Sequence, residues 1–388
     1  MESTGSPEEC MKQAQAMMAK PNVTVDLAIE LVKTIYGLQV TEIKSLNSFS
    51  DKNFHIKVSA DHTNPNIDQI SDDGYTLKIM NTLKSNLKGH FDAIHETMIR
   101  LHGKGLRVPQ PIRNLDGTTW KLETLPLQES EGEVAKTLKC GIHLLTYIPG
   151  EPIANNENNE KMLFQWGELL AKFHISLKDF DCPELMEQWT FVNAKNFRLA
   201  KGILDSMPEG SMAPEAKLLV EDVLDRFSSE YEKHISDLPQ GFLHGDFNDH
   251  NILFRTTETT GSYCVDGILD FDEMHHGSYA WDLGILLGHA LLVKKTIDPL
   301  EAVRHAVAGY QSVRKLSEKE LLFLKIAMEC RVALMCFIST AVDKDPSNSY
   351  ILMIAHLQPK IDILKLLSNV DNKSLLKIYD YHTHLVMV

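Results

Sequence analysis

The strongest constraint on this chain is a change of hydrophobic period at Pro149-Gly150. Ahead of that pair, short stretches alternate. NFHIKVSA puts Phe54, Ile56 and Val58 on one face, and GYTLKIM does the same with Tyr75, Leu77 and Ile79. Strand side chains point alternately up and down, so Lys78 must face the other way. The polar connection 61–74 contains Asn64-Pro65 and Asp73-Gly74 and reads as the hairpin turn between these strands. TTWKLETLPL and CGIHLLTYI read as further strands of a mostly antiparallel sheet.

Two helices accompany that sheet. VTVDLAIELVKTIYGLQ spaces Ala28, Leu31, Val32, Ile35 and Tyr36 helically, with Thr24 as cap and Gly37 near the end. A second runs from about His90 to Gly103 and is broken by GLRVPQP, because proline cannot continue a helix. Beyond Gly150 the pattern is helical: KMLFQWGELLAKFHISL, PEAKLLVEDVLDRFSSEYEKHI and the apolar stretches after Trp281. The expectation is an α+β chain: a loose leader over 1–21, a β-rich N-terminal lobe over 22–149 and a larger helical lobe over 150–388.

Composition removes several classes of function. A net charge of -14 argues against a broad basic face for nucleic acid. None of the six cysteines, Cys10, Cys140, Cys182, Cys264, Cys330 and Cys336, falls in a C-x-x-C pair. Free thiols in a reducing compartment are expected rather than a zinc ribbon or disulfide framework. The first twenty residues hold no apolar core of a signal peptide. The most hydrophobic stretch, Leu321 to Val342, is interrupted by Lys325, Glu329 and Arg331, which suits a buried amphipathic helix better than a membrane span. A soluble, cytoplasmic protein with no membrane partner is expected.

The chemistry concentrates in GFLHGDFNDHNILF and, further on, GILDFDEMHHG. The first reads H-x-D-x-x-x-x-N, as His244, Asp246 and Asn251; the second sets Asp270 after the apolar Gly267-Ile268-Leu269. Phosphoryl transfer asks a protein for a carboxylate near the attacking hydroxyl and for oxygen ligands to magnesium between the phosphates. Asp246 offers the first, and Asn251 and Asp270 offer the second. Asp282, in YAWDLG, extends the pattern. A metal-dependent hydrolase built on His244, Asp246, His250, His275 and His276 is the rival reading, but their spacing forms no helix-borne H-E-x-x-H pair.

These motifs, with SFSDKNFHIKV, YTLKIMN and LLTYIPGEPI in the same order, resemble the aminoglycoside phosphotransferase and choline kinase superfamily from about Thr24 to Ile363. Within it, HGDFNDHNIL and GILDFDEM are similar to the hydroxylysine kinase family. The resemblance implies a two-lobed protein-kinase-like fold with the active site in the cleft, Mg2+, and GTP or ATP as co-substrate. By the same resemblance Lys78 contacts the nucleotide phosphates, and Glu96, or Asp92 one turn earlier, pairs with it. Ser48 and Ser50 lie in the loop over the phosphates, which lacks the glycine-rich pattern of protein kinases. The segment from His143 to Tyr147, including Leu145, matches the interlobe connection that meets the purine through backbone groups. Asp246 corresponds to the catalytic base, His244 to the histidine holding its loop, Asn251 and Asp270 to the metal ligands, and Asp282 to a residue bonding the loop backbone.

The implied reaction moves the terminal phosphate of GTP or ATP to the hydroxyl of 5-hydroxy-L-lysine. Hydroxylysine carries two ammonium groups and a carboxylate. Asp249, Asp272, Glu273 and Glu151 are candidate acids for the former, and Arg255 and Arg331 candidate cations for the latter. The alternatives are a kinase of another amino alcohol or sugar, such as choline, ethanolamine or an aminoglycoside-like compound, and a catalytically dead kinase-like binding protein. A choline site calls for an aromatic cage, for which Tyr279 and Trp281 are the nearby candidates.

Overall fold

The first helix, α1 (Val25–Tyr36), begins where Thr24 Oγ1 accepts the Leu27 N–H at 3.2 Å and ends at Gly37, whose φ of 62° stops it. This and all that follows comes from a computed structural model that describes residues 21–48, 50–126, 137–186, 188, 190, 192–197, 199–207, 209–256, 263–341 and 355–380. The expected leader, apart from Pro21, and Cys10 lie outside the described residues. The chain divides into two compact units, 1–149 and 150–388.

The first unit is an antiparallel sheet of five strands, β1 (Val40–Leu46), β2 (Lys52–Val58), β3 (Tyr75–Ile79), β4 (Trp120–Pro126) and β5 (Thr137–Thr146), in the order β1-β2-β3-β5-β4. Strand β1 has no matching sequence expectation. It is an edge strand with no fully buried residue, so its polarity hides it. Phe54, Ile56, Tyr75, Leu77, Ile79, Ile142 and Leu144 form one core with the buried stripe of α1. The same alternation turns Lys78 to the opposite face, beside its cross-strand partner His143. After β3 come α2 (Thr82–Ser85) and α3 (His90–Gly103). On α3, Phe91 stacks on Trp120 with centroids 4.5 Å apart, and His95 Nε2 lies 2.8 Å from His143 Nδ1.

The second unit contains β6 (Glu151–Pro152), α4 (Glu160–Ser176), α5 (Pro214–Arg226), β7 (Gln240–Leu243), β8 (Ile252–Thr256), β9 (Tyr263–Ile268), β10 (His275–Ser278), α6 (Tyr279–Ala290), α7 (Pro299–Val313) and α8 (Glu318–Ala341). Helices α4 and α7 cross at backbone distance. A Cβ on Gly167 would stand 1.9 Å from the Ala306 carbonyl oxygen, and one on Gly309 equally close to that of Phe164. Each helix therefore contributes a glycine at the crossing, where any larger residue would push the pair apart. Helix α8 is the apolar stretch with interior charges. Its Glu329 is buried and accepts from Arg226 Nη1 of α5 at 2.8 Å. No helix among the described residues is long and apolar enough to cross a membrane, and the five described cysteines are free thiols.

Two small sheets frame the site. Strand β7 pairs antiparallel with β10, while β8 pairs antiparallel with β9 and β6. Loop 244–251 runs from β7 to β8 and loop 269–274 from β9 to β10, so the two lie side by side.

Candidate active site

Loop 244–251 is held from several directions. The His244 and Gly245 N–H groups donate to the two oxygens of Asp282 at 2.9 and 3.0 Å. His244 Nε2–H donates to the Leu269 carbonyl at 2.9 Å, and its Nδ1 accepts the Asp246 N–H at 3.3 Å. In that pair of roles Nε2 carries the donated hydrogen and Nδ1 is the acceptor. Gly245 has φ 79°, and a Cβ there would lie 2.2 Å from the Glu273 carbonyl oxygen. Only glycine satisfies both demands, so the residue between His244 and Asp246 follows from the approach of the second loop.

Asp282 is fully buried. Burial pushes its carboxyl up, but the hydrogen bonds from His174 and from the His244 amide outweigh it, and it stays below the usual carboxylate range. His174 Nε2–H donates to Asp282 Oδ2 at 3.0 Å, and its Nδ1 accepts the Tyr310 hydroxyl at 2.8 Å. Burial keeps His174 below the ordinary imidazole range despite Asp282, so it serves as a neutral donor.

The Asp246 carboxylate is partly open, with a quarter of its side chain accessible. Its Oδ2 accepts from Asn248 Nδ2 at 2.7 Å and from Asn251 Nδ2 at 3.2 Å. Its Oδ1 receives Arg331 Nη2. Asn248 Oδ1 accepts the His250 and Asn251 N–H groups at 2.8 and 3.1 Å, an Asx turn that sets the bend of the loop. Asn251 gives its amide nitrogen also to the Asp246 carbonyl at 2.9 Å. Its Oδ1 is thereby turned away from Asp246, with no protein donor among the described residues.

The second loop is pinned to the first by Leu269 N–H, which donates to the Asn251 carbonyl at 2.8 Å. The next residue, Asp270, is exposed and has φ 61°, the one positive φ at a non-glycine residue among those described. That conformation costs an L-residue about 1–2 kcal/mol, least for Asp and Asn. An amide oxygen without a donor and an exposed carboxylate, on backbone joined by one hydrogen bond, make a hard-oxygen pair suited to magnesium. The five residues of the hydrolase reading form no ligand cluster among the described residues.

The substrate candidates separate. Asp249 is buried and accepts from His289 Nδ1–H at 2.8 Å. Burial pushes it up, but the His289 hydrogen bond holds it below the usual carboxylate range. Asp272 is buried, and Glu273 receives the Thr190 hydroxyl. Glu151 is exposed on β6 and accepts from Asn155 at 3.3 Å. Arg255 is exposed on β8 and is taken by Asp266 at 2.8 Å, away from loop 244–251, whereas Arg331 reaches it. Trp281 is buried, gives its indole N–H to the Val192 carbonyl at 2.8 Å and packs on Phe197 and Phe227. Tyr279 lies under the Arg314 guanidinium at 4.6 Å and against His174, so these two rings are already occupied.

In the first unit, Lys78 is nearly buried on β3. Ser48 Oγ donates to the Asp51 carbonyl, Ser50 Oγ accepts from Asn81 Nδ2 at 3.2 Å, and Asp51 Oδ1 accepts the Asn81 N–H at 2.8 Å. This ties the serine loop to the end of the Lys78 strand. Glu96 is exposed, Asp92 accepts the Trp120 indole N–H at 2.9 Å, and the sheet-facing position of α3 is His95. His143 to Thr146, including Leu145, belong to β5, and the Tyr147 N–H is given to the Gly74 carbonyl at 3.1 Å.

Sequence reasoning passed over Asn248, His174 and His289. Asn248 had a local signal, the polar Asn-Asp-His-Asn run of a turn. His174 meets Asp282 across 108 residues and His289 meets Asp249 across 40, and neither had one.

Residues 56–316 match the phosphotransferase enzyme family. A hydroxylysine kinase of Xenopus laevis is 30% identical over 89% of this chain and 92% of its own length. A homoserine kinase of Gluconobacter oxydans is 26% identical over 57% of this chain and 61% of its own. Among solved structures, amicoumacin kinase hAmiN in complex with AMP-PNP, Ca2+ and Ami superimposes with a TM-score of 0.63, over 94% of this chain and 99% of that one, at 16% identity. The fold is thus the α+β protein-kinase-like fold of small-molecule kinases.

Proposed function

Because the chain belongs to the phosphotransferase enzyme family and is a phosphotransferase with an alcohol acceptor, we propose that it phosphorylates the hydroxyl of 5-hydroxy-L-lysine from GTP or ATP with Mg2+. The observation that carries the reading is the joining of loops 244–251 and 269–274, which sets Asp246, Asn251 and Asp270 on neighbouring backbone. The likeness to hydroxylysine kinases over nine-tenths of both chains supports the acceptor. The complex of hAmiN with AMP-PNP and Ca2+ supports a nucleoside triphosphate and a divalent cation.

Asn251 Oδ1 and the Asp270 carboxylate would hold the magnesium, which when bound neutralises charge on the phosphates. Lys78 is the first unit's candidate for contacting nucleotide phosphates. The Asp246 carboxylate orients the substrate hydroxyl and takes its proton as a new oxygen–phosphorus bond forms and the bond from the terminal phosphorus to the nucleoside diphosphate breaks. His244 and Asp282 hold the backbone that aims Asp246, with the Asn248 turn fixing its rotamer. Asp249, Asp272 and Glu273 supply negative charge for the ammonium groups, while Glu151 stands on an exposed strand. The occupied rings of Tyr279 and Trp281 count against a quaternary ammonium acceptor such as choline. Lys78, Asp246, Asn251 and Asp270 are all present, which counts against a dead binding protein.

The test is nucleotide consumption with Mg2+, offering GTP and ATP against hydroxylysine, lysine, choline, ethanolamine and sugars. Turnover with hydroxylysine and none with lysine is expected. Turnover with another acceptor alone would remove the assignment and keep the reaction class. No turnover from folded protein would favour the binding-protein reading.

A further inference from the structure

We propose that Arg331 receives the substrate's carboxylate and so selects hydroxylated amino acids over hydroxylated amines. The inference rests on the reading of the chain as a hydroxylysine kinase, and it names the residue that recognises the acid group of that substrate.

Among the described residues of the second unit, every other arginine has an acid of its own. Arg226 pairs with Glu329, Arg255 with Asp266, Arg304 with Glu301 and Arg314 with Glu320. Arg331 has only Asp246, the carboxylate placed at the reaction. A guanidinium that is 7% accessible needs a counter-charge, and one that takes it from Asp246 competes with that carboxylate's part in accepting a proton. A carboxylate arriving with the substrate accounts for both features.

The geometry prepares the guanidinium for it. Arg331 Nε and Nη2 donate to His289 Nε2 at 3.1 and 3.0 Å, and His289 Nδ1–H is fixed on Asp249 at 2.8 Å. Burial, and then the charge of Arg331, keep His289 below the ordinary imidazole range, so it accepts as a neutral ring. The stem lies against Gly288 of α6, where a Cβ would come within 3.1 Å of Arg331 Cβ and Cγ. One edge is thereby locked. On the other edge Nη2 meets Asp246, while neither Nη1 hydrogen has an acceptor among the described residues, and that nitrogen is not sealed from solvent. A planar fork with one nitrogen open and its neighbour shared with Asp246 is the arrangement that accepts a carboxylate in bidentate fashion. Docking there draws the guanidinium's charge from Asp246 to the substrate. An amine lacking the acid group leaves Asp246 engaged with Arg331.

The experiment compares 5-hydroxylysine with its decarboxylated analogue, 1,5-diaminopentan-2-ol, in the full chain and in Arg331→Lys and Arg331→Gln. The readout is the ratio of kcat/KM for acid over amine. This ratio cancels any general loss from disturbing Asp246. The wild-type ratio is expected to favour the acid, and Arg331→Gln to lower the ratio at least about tenfold, as losing a charge-assisted pair implies. Arg331→Lys, which keeps charge without the fork, falls between. Equal losses for both acceptors, or an unchanged ratio, would overturn the carboxylate role while hydroxylysine turnover by the wild type left the kinase reading standing. A wild type with no turnover of hydroxylysine would overturn that reading and this inference with it. Where Arg331→Gln fails to fold, the Arg331→Lys ratio decides by the same criterion.

Discussion

Asp282 and His174 form a wholly buried pair, Oδ2 to Nε2–H at 3.0 Å, and the same carboxylate receives the two backbone N–H groups that open the Asp246 loop. The loop therefore inherits its position from a charge on α6 that is set by an imidazole on α4. Replacing Asp282 with Asn would turn one acceptor oxygen into a donor that meets either a backbone N–H or the imidazole. Leaving a buried donor without its acceptor costs about 1–3 kcal/mol. We expect Asp282→Asn to lower the denaturant midpoint accordingly and to reduce kcat with nucleotide affinity nearly kept, as measured by unfolding curves and steady-state kinetics. Wild-type values for both would mean that the loop holds its position without this carboxylate.

Asp246 is the residue assigned to the hydroxyl proton. Asp246→Asn retains hydrogen-bonding shape and removes basicity. A positioned general base contributes roughly a hundredfold to ten-thousandfold in rate. A fall of that size in kcat is expected, with nucleotide binding by titration almost unaltered. Full turnover by this variant would show that the proton goes elsewhere.

Much of this arrangement was legible in the sequence because it is local. The alternation of NFHIKVSA and GYTLKIM placed the two faces of β2 and β3, and with them the buried Lys78, since register follows pattern when one face is core. The H-x-D-x-x-x-x-N spacing put Asp246 and Asn251 on one loop. What stayed hidden depends on contacts between distant residues. Nothing near His174 in AKFHISL marks it as the partner of Asp282. Nothing on α8 distinguishes Arg331 from Lys325 until the fold sets it against Asp246. On α3, Glu96 is exposed and His95 holds the sheet-facing position, one residue away and 100° around the helix.

Asp270 offers a test in which stability and metal binding separate. Its left-handed backbone favours Asp and Asn over Ala by about 1 kcal/mol. Asp270→Asn should therefore keep the wild-type Tm, and Asp270→Ala should lose stability of that order. Both remove the carboxylate, so both should abolish the magnesium-dependent part of nucleotide affinity. Magnesium-dependent binding that survives in Asp270→Ala would take the metal away from this residue.

The first unit buries an imidazole pair that must remain neutral. Burial lowers His95 from its ordinary value to about 3, and burial above all, with the Lys78 charge beside it, lowers His143 well below its ordinary value. The unfolded chain then binds protons that the folded chain refuses. Stability is full above the unfolded value of about 6.5 and is lost as pH falls from there toward the folded value. Each such histidine contributes a slope of up to about 1.4 kcal/mol per pH unit. Carboxylates with depressed folded values, Asp249 and Asp282, act only below about pH 4, so the interval from 6.5 to 4 reports the histidines. His174, His289 and His305 are also lowered by burial and add to the wild-type slope. His95→Gln, which can still bond His143 and Thr119 but cannot titrate, should flatten the dependence of unfolding free energy on pH by nearly one proton. If the variant and wild-type slopes coincide across that interval, His95 is not held neutral by the fold.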